Sequence, residues 1–292
     1  MRRKILKAVI FNVLVVLCIF ISYLVIPKTD ARENRATGYK LKDNKNLDIV
    51  AIGNSDLYSG FVPSILYEKY KYCSYNCGKT RVTVKEEYDY LKEIFDYQDP
   101  QLIIFEVDCL SFKTYKRPKP KLESVYENHD FWRKHSAKDI LELKGYVYSS
   151  NIVPTNLKEK EKKKKRCERA ISEDKFDYLD CIRDLCKENN CQLLFMELPS
   201  ETSWSEVRHN QVLEYANKNN INFIDFNYLD SVTIDNQKDY RDGGNHLNVY
   251  GSIKVTNYLA DYIHDNYEIN PYNLNKTFDK AVEIFNKKIK EL

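Results

Sequence analysis

Two short segments, far apart in the chain, hold residue types that together could move an acyl group. The first reads Gly53-Asn54-Ser55-Asp56-Leu57-Tyr58-Ser59-Gly60. The second reads Asp242-Gly243-Gly244-Asn245-His246-Leu247-Asn248, followed by Gly251. A serine hydroxyl is a weak nucleophile until a neighbouring base takes its proton. A histidine held on a loop beside a carboxylate suits that task, because the carboxylate orients the ring and steadies its charged form. Ser55 is therefore the candidate nucleophile, His246 its base and Asp242 the orienting acid. Asp239 is an alternative orienter, and a serine–histidine dyad without a strong acid partner is a third arrangement. Taken singly, each segment also fits plain turn chemistry, with a Gly-Asn-Ser turn in one and a capping Asn248 in the other.

The elements around them must bring the two segments to one place. Residues 47–52 (LDIVAI) form a short apolar run suited to a buried parallel strand, and the run ends at the Gly53 turn. That puts Ser55 at the carboxyl end of a sheet, where open α/β folds place their sites. Further strands are expected at 102–107, 192–197 and 222–226, with a short one at 72–75. Helices are expected at 64–70, 83–97, 175–189, 205–219 and 251–265. The 83–97 helix rests on the spacing of Val84, Tyr88, Leu91, Ile94 and Phe95. Strands alternating with helices predict a parallel sheet covered on both faces. His246 falls in a Gly-rich loop directly before the last core helix, and 274–292 predicts a further amphipathic helix.

With 43% hydrophobic and 30% charged residues over 292 positions, the composition is that of a globular domain. A net charge of +3, with no basic stripe interleaved with aromatics, excludes nucleic acid as the expected partner. Arg2, Arg3, Lys4 and Lys7 precede an uncharged stretch from Ala8 to Pro27. Its length matches the ~20 residues of a spanning helix. The basic flank predicts a cytoplasmic N-terminus and an extracytoplasmic domain. A buried core helix is the alternative. The expected organisation is a flank and anchor at 1–27, a polar linker at 28–46, an α/β domain at 47–270 with an insertion at about 112–170, and a C-terminal helix at 271–292. The basic run at 158–169 reads as a solvated helix face, with contact to an anionic lipid or wall polymer as the minority reading. Of the 8 cysteines, Cys73/Cys77 and the group Cys181, Cys186 and Cys191 suit either core packing or disulfides. Glu106, Asp108 and Glu197 near strand ends have no diagnostic metal spacing, so neither a metal nor another cofactor is expected. His129, His135, His209 and His264 lack matching partners and read as ordinary polar contacts.

Together the two segments resemble the SGNH (GDSL-like) hydrolase superfamily. That family's first block is Gly-x-Ser-x-x-x-x-Gly after the first strand, which Gly53, Ser55 and Gly60 match. Its last block is Asp-x-x-His followed by Leu-Asn and Gly, which His246, Leu247, Asn248 and Gly251 match. The similarity covers roughly residues 47–265 and extends to a membrane-anchored group that includes the D-alanine transfer protein and exopolysaccharide O-acetylation proteins. The resemblance implies a flavodoxin-like three-layer sandwich with a central parallel sheet. It implies a serine esterase or O-acyltransferase acting on acylated glycans or wall polymers, with a membrane-bound O-acyltransferase as a possible partner. It places Gly78 where the family keeps an oxyanion-hole glycine, beside the Ser55 N–H. Asn54, Asp56 and Trp204 are candidates to contact substrate. Two departures stand out. The family's third block carries an oxyanion-donating Asn, whereas this chain reads Glu106-Val107-Asp108-Cys109. Asp242 is also four residues before His246 rather than three. The first departure favours a non-catalytic accessory protein as the rival reading.

Overall fold

The computed structural model describes residues 2–25, 35–41, 44, 46–112, 141–156, 170–272 and 275–292. Five parallel strands form one sheet: β1 (Ile49–Ile52), β2 (Ser74–Asn76), β3 (Leu102–Glu106), β4 (Gln192–Glu197) and β5 (Asn222–Asp225). Their order is β2-β1-β3-β4-β5. This is the doubly wound order in which the chain reverses direction across the sheet between β1 and β3. The register sets Ile52 opposite Phe105 and Glu106 opposite Met196, so β1, β3 and β4 end nearly level.

The helices are α1 (Arg2–Val25), α2 (Ser55–Gly60), α3 (Pro63–Tyr70), α4 (Val84–Phe95), α5 (Glu173–Glu188), α6 (Glu206–Asn219), α7 (Val249–Asn266) and α8 (Lys276–Lys290). Alternate strand residues feed two cores, because side chains along a strand point to opposite faces. Val50, Ile52, Ile103, Phe105 and Phe195 pack with Leu91, Leu179 and Val212 of α4, α5 and α6. Ile49, Ala51, Leu102, Ile104, Leu194 and Met196 pack with Leu57, Leu66, Val255 and Leu259 of α2, α3 and α7. Strands buried on both faces explain the unbroken apolar runs in the sequence. The expected three-layer parallel architecture is the one observed, with helix and strand ends shifted by no more than two residues. The β2 strand sits two residues later than expected at its start.

Two parts of the chain differ from their sequence reading, and the cysteines settle on one of their two alternatives. Residues 35–41 and 44 are not simple linker: Arg35, Ala36, Tyr39 and Asn44 are buried in the domain. Residues 141–156, expected within an insertion, return to the fold. Asn76 N–H donates to Lys144 O and Val147 N–H to Tyr58 O. Among the described residues no disulfide joins Cys73 to Cys77 or links Cys181, Cys186 and Cys191. Burial among apolar side chains accounts for Cys73, Cys77 and Cys186 as small hydrophobes. The basic run at 158–169, His129 and His135 lie outside the described residues. In α1, the 19-residue segment Arg3–Ile21 is apolar and none of it is buried, which removes the core-helix alternative. By length and composition it is a candidate membrane span or signal sequence.

Candidate active site

The site forms at the carboxyl rim of the sheet, at the adjacent ends of β1 and β3. Gly53 ends β1 against the start of the Glu106 side chain: a Cβ at Gly53 would lie 2.5 Å from Glu106 Cβ. Only glycine lets the two strand ends approach so closely. Asn54 then caps α2, its side chain accepting the Asp56 N–H at 2.8 Å. Asn54 N–H donates to Glu106 Oε2 at 2.8 Å, and Asn54 Nδ2 donates to Asp108 Oδ2. Ser55 is the first residue of α2, so its N–H has no acceptor within the helix.

His246 is held by a loop fixed at both ends. Tyr240 and Leu247 form an antiparallel bridge, and Arg241 N–H donates to His246 O at 3.0 Å. Asn248 caps α7, accepting from Tyr250 and Gly251 N–H, while its own amide donates to Asn151 O, Lys238 O and Tyr240 O. The structure brings the three sequence-derived candidates together. His246 Nε2 lies 2.9 Å from Ser55 Oγ, and His246 Nδ1 is bonded to Asp242 Oδ2. Asp242 Oδ1 also accepts the His246 N–H at 2.8 Å. An Nδ1–H donated to Asp242 leaves Nε2 as the acceptor for the serine hydroxyl. Burial pushes the Asp242 carboxyl up, but its hydrogen bonds with His246 outweigh this and hold it below the usual carboxylate range. Asp239 is fully buried and occupied elsewhere, bonding Lys254 Nζ at 2.6 Å and Asp235 N–H at 2.7 Å.

The other candidates divide. Gly78 packs on the nucleophile turn: a Cβ there would lie 2.8 Å from Asn54 O and 2.9 Å from Tyr58 N. Its N–H donates to Asn76 Oδ1 at 3.1 Å. Asp56 is buried at the site, with Oδ1 3.5 Å from His246 Nε2. Burial pushes the Asp56 carboxyl up to about 7, with His246 opposing the shift. Asn54 is 1% exposed and spends its side chain on Asp56 and Asp108. Trp204 is 2% exposed, and its indole N–H donates to Asp225 at 2.7 Å. His209 shares that Asp225, and His264 stacks on Tyr70 with centroids 4.0 Å apart.

Two residues near the site escaped the sequence reading. Tyr58 lies parallel to the His246 ring with centroids 6.5 Å apart. Its position three residues after Ser55, on the same helical turn, was the available signal. Arg35 is buried with its guanidinium 4.5 Å over the Tyr58 ring, donating to Gly78 O and Gly145 O. No local pattern announces it, because its acceptors are backbone carbonyls.

No protein-family model matches this chain, and no curated protein matches it in sequence. Solved structures with a similar fold are distant. A putative acylhydrolase from Bacteroides fragilis is 15% identical, with a TM-score of 0.45 over 82% of this chain and 99% of its own. The esterase EstA from a Pseudoalteromonas species is 12% identical, with a TM-score of 0.41 over 75% of this chain and 97% of its own. A catalytic mutant of an acetylxylan esterase from Geobacillus stearothermophilus is 14% identical, with a TM-score of 0.38 over 78% of this chain and 97% of its own. At these scores the likeness adds nothing to the geometry, which stands by itself.

Proposed function

We propose that the chain is a serine ester hydrolase or O-acyltransferase working through an acyl-serine intermediate. The observation that carries this reading is the chain of contacts Ser55 Oγ–His246 Nε2 and His246 Nδ1–Asp242, built from two remote loops at one sheet rim. His246 takes the Ser55 proton as the serine oxygen attacks the ester carbonyl. The negative oxygen of the tetrahedral intermediate is met by the Ser55 N–H and by the Gly78 N–H once that turns from Asn76. The intermediate collapses, the alkoxide leaves with the proton from His246, and the acyl group stays on Ser55. His246 then deprotonates either water, giving a free acid, or a sugar hydroxyl, giving a new ester. Asp242 holds the imidazolium throughout. The substrate class we assign is an O-acyl, notably acetyl, ester of an extracytoplasmic glycan, with α1 as a single membrane anchor and the N-terminus inside. Support for that part comes from the basic flank and the apolar length of α1.

The rival reading, an accessory protein that binds a glycan or a membrane acyltransferase without turnover, is favoured by one observation. Asp108 stands where an amide donor would complete the oxyanion site, and it accepts a hydrogen bond from Asn54 instead. Hydrolysis of p-nitrophenyl acetate by the full chain and by Ser55→Ala separates the two. A rate at background for Ser55→Ala alone supports the enzyme. Equal rates for both proteins remove it.

A further inference from the structure

Beneath the nucleophile turn lies a group of acids that the acyl-transfer chemistry leaves unused. One carboxylate oxygen each of Asp56, Glu106 and Asp108 lie within 4.8 Å of one another, and all three residues are buried. They come from three places on the backbone: the first turn of α2, the end of β3 and the 3-10 turn after it. Asp56 Oδ1 and Glu106 Oε1 have no hydrogen-bond donor. Buried acceptors are normally satisfied, so each orphan calls for an explanation. His246 Nε2 lies 3.5 Å from Asp56 Oδ1, and the cations nearby are Arg241, whose charge acts on Asp56, and Arg208, whose charge acts on Asp108. None of them donates to the two orphaned oxygens.

We propose that Asp56, Glu106 and Asp108 form a binding site for a hard divalent cation, calcium before magnesium, one residue from Ser55. The donor set is oxygen only, which suits calcium or magnesium rather than zinc. Magnesium dehydrates reluctantly and is seldom held by an all-protein cage, whereas calcium accepts carboxylate ligands in flexible geometry, so a fully buried carboxylate set favours calcium. Asn54 acts as the outer brace, its amide on Asp108 and its backbone N–H on the second oxygen of Glu106. If Ser55 acylates as proposed above, the same ion adds positive charge near the place left without an amide donor; binding itself does not depend on that chemistry.

The test uses the full chain in detergent, stripped with a chelator and titrated with CaCl2 and separately with MgCl2. We expect one calcium per chain by calorimetry and a rise in Tm of about 5–10 °C at a hundredfold excess over Kd. Magnesium gives a smaller shift. Ser55→Ala keeps the calcium shift, while Glu106→Gln and Asp108→Asn lose it. No heat and no Tm change in the wild-type chain up to about 10 mM calcium overturns the proposal, since this exceeds the weak end of natural calcium sites. An undiminished shift in both acid variants overturns it as well, because the ion then binds elsewhere. The wild-type titration decides the matter even where a variant fails to fold. An inactive wild-type enzyme that binds calcium would sink the esterase reading and leave the site standing.

Discussion

The nucleophile turn and the histidine loop meet across one hydrogen bond, yet they are built on opposite plans. The turn is dry. Residues 56–60 are all buried, and Gly53, Asn54 and Gly78 are wedged between strand ends. The loop is wet: Asp242 keeps 38% of its side chain exposed while bonding His246. Its rigidity comes from anchors at its ends, the Tyr240–Leu247 bridge and the Asn248 cap. The difference separates two jobs. In the proposed chemistry the buried half fixes where the attacking oxygen and the oxyanion donors sit. The exposed half fixes the ring while leaving its acid open to water. The strap at 141–156 ties the halves together, accepting Arg35 at Gly145 O, reaching Tyr58 O from Val147 N–H, and reaching Tyr240 O from Val153 N–H.

The sharpest way to break this picture is to remove one partner from each half. Ser55→Ala and His246→Ala should each lower kcat on p-nitrophenyl acetate by about 10⁴-fold or more, and the double variant should lose no more than either alone. Additive losses would mean that the two side chains do not act as one unit. Next in size, Asp242→Asn should cost about 10²–10⁴-fold in kcat by presenting the wrong ring tautomer. Asp239→Asn should leave kcat within about tenfold and act instead on Tm, because its partners are Lys254 and a backbone N–H.

The glycines then contrast the halves in stability. At Gly78 a methyl meets backbone on the nucleophile turn, and Gly78→Ala should cost about 1–3 kcal/mol by urea unfolding, with activity lost as the turn shifts. At Gly243 a methyl meets only Val153 at 3.9 Å, but the backbone sits at φ +82°. Gly243→Ala should cost about 1 kcal/mol, as strain rather than collision. Equal activity loss in both would contradict the division between a packed half and an anchored half.

A buried acid away from both loops gives the last comparison, in pH. Glu87 is fully buried, and burial pushes its carboxyl from 4.5 to about 8, with Lys79 opposing. Between those values the folded chain holds a proton that the unfolded chain has released. Its contribution is therefore complete below about 4.5 and is lost as pH rises through about 8, at no more than about 1.4 kcal/mol per pH unit. Glu87→Gln should flatten the fall in Tm between pH 5 and pH 9. An unchanged slope would assign the pH dependence to other groups.

Ser55, His246 and Asp242 were legible because each sits at a fixed offset from a strand end or a helix start, and both signals are local. The choice between Asp242 and Asp239 was not, since spacing alone left one residue too many. The loop absorbs it at Gly243 and Gly244, which take φ of +82° and +106°. Trp204 looked like a contact residue from its place after β4, but position along a strand does not say which way an indole turns, and this one turns inward to Asp225. Arg35 was hidden in a polar stretch, and the acids at 56, 106 and 108 were scattered until the β1–β3 register put them together.

Arg35 has a consequence for reach. It grips the carbonyl of Gly78, so a point fixed to the folded body lies ten residue steps after the end of α1 at Val25. A fully stretched chain covers no more than about 33–36 Å in ten steps. If α1 crosses a bilayer and the substrate is the glycan ester proposed above, the serine works on a short leash and reaches only polymers that pass close to the lipid surface.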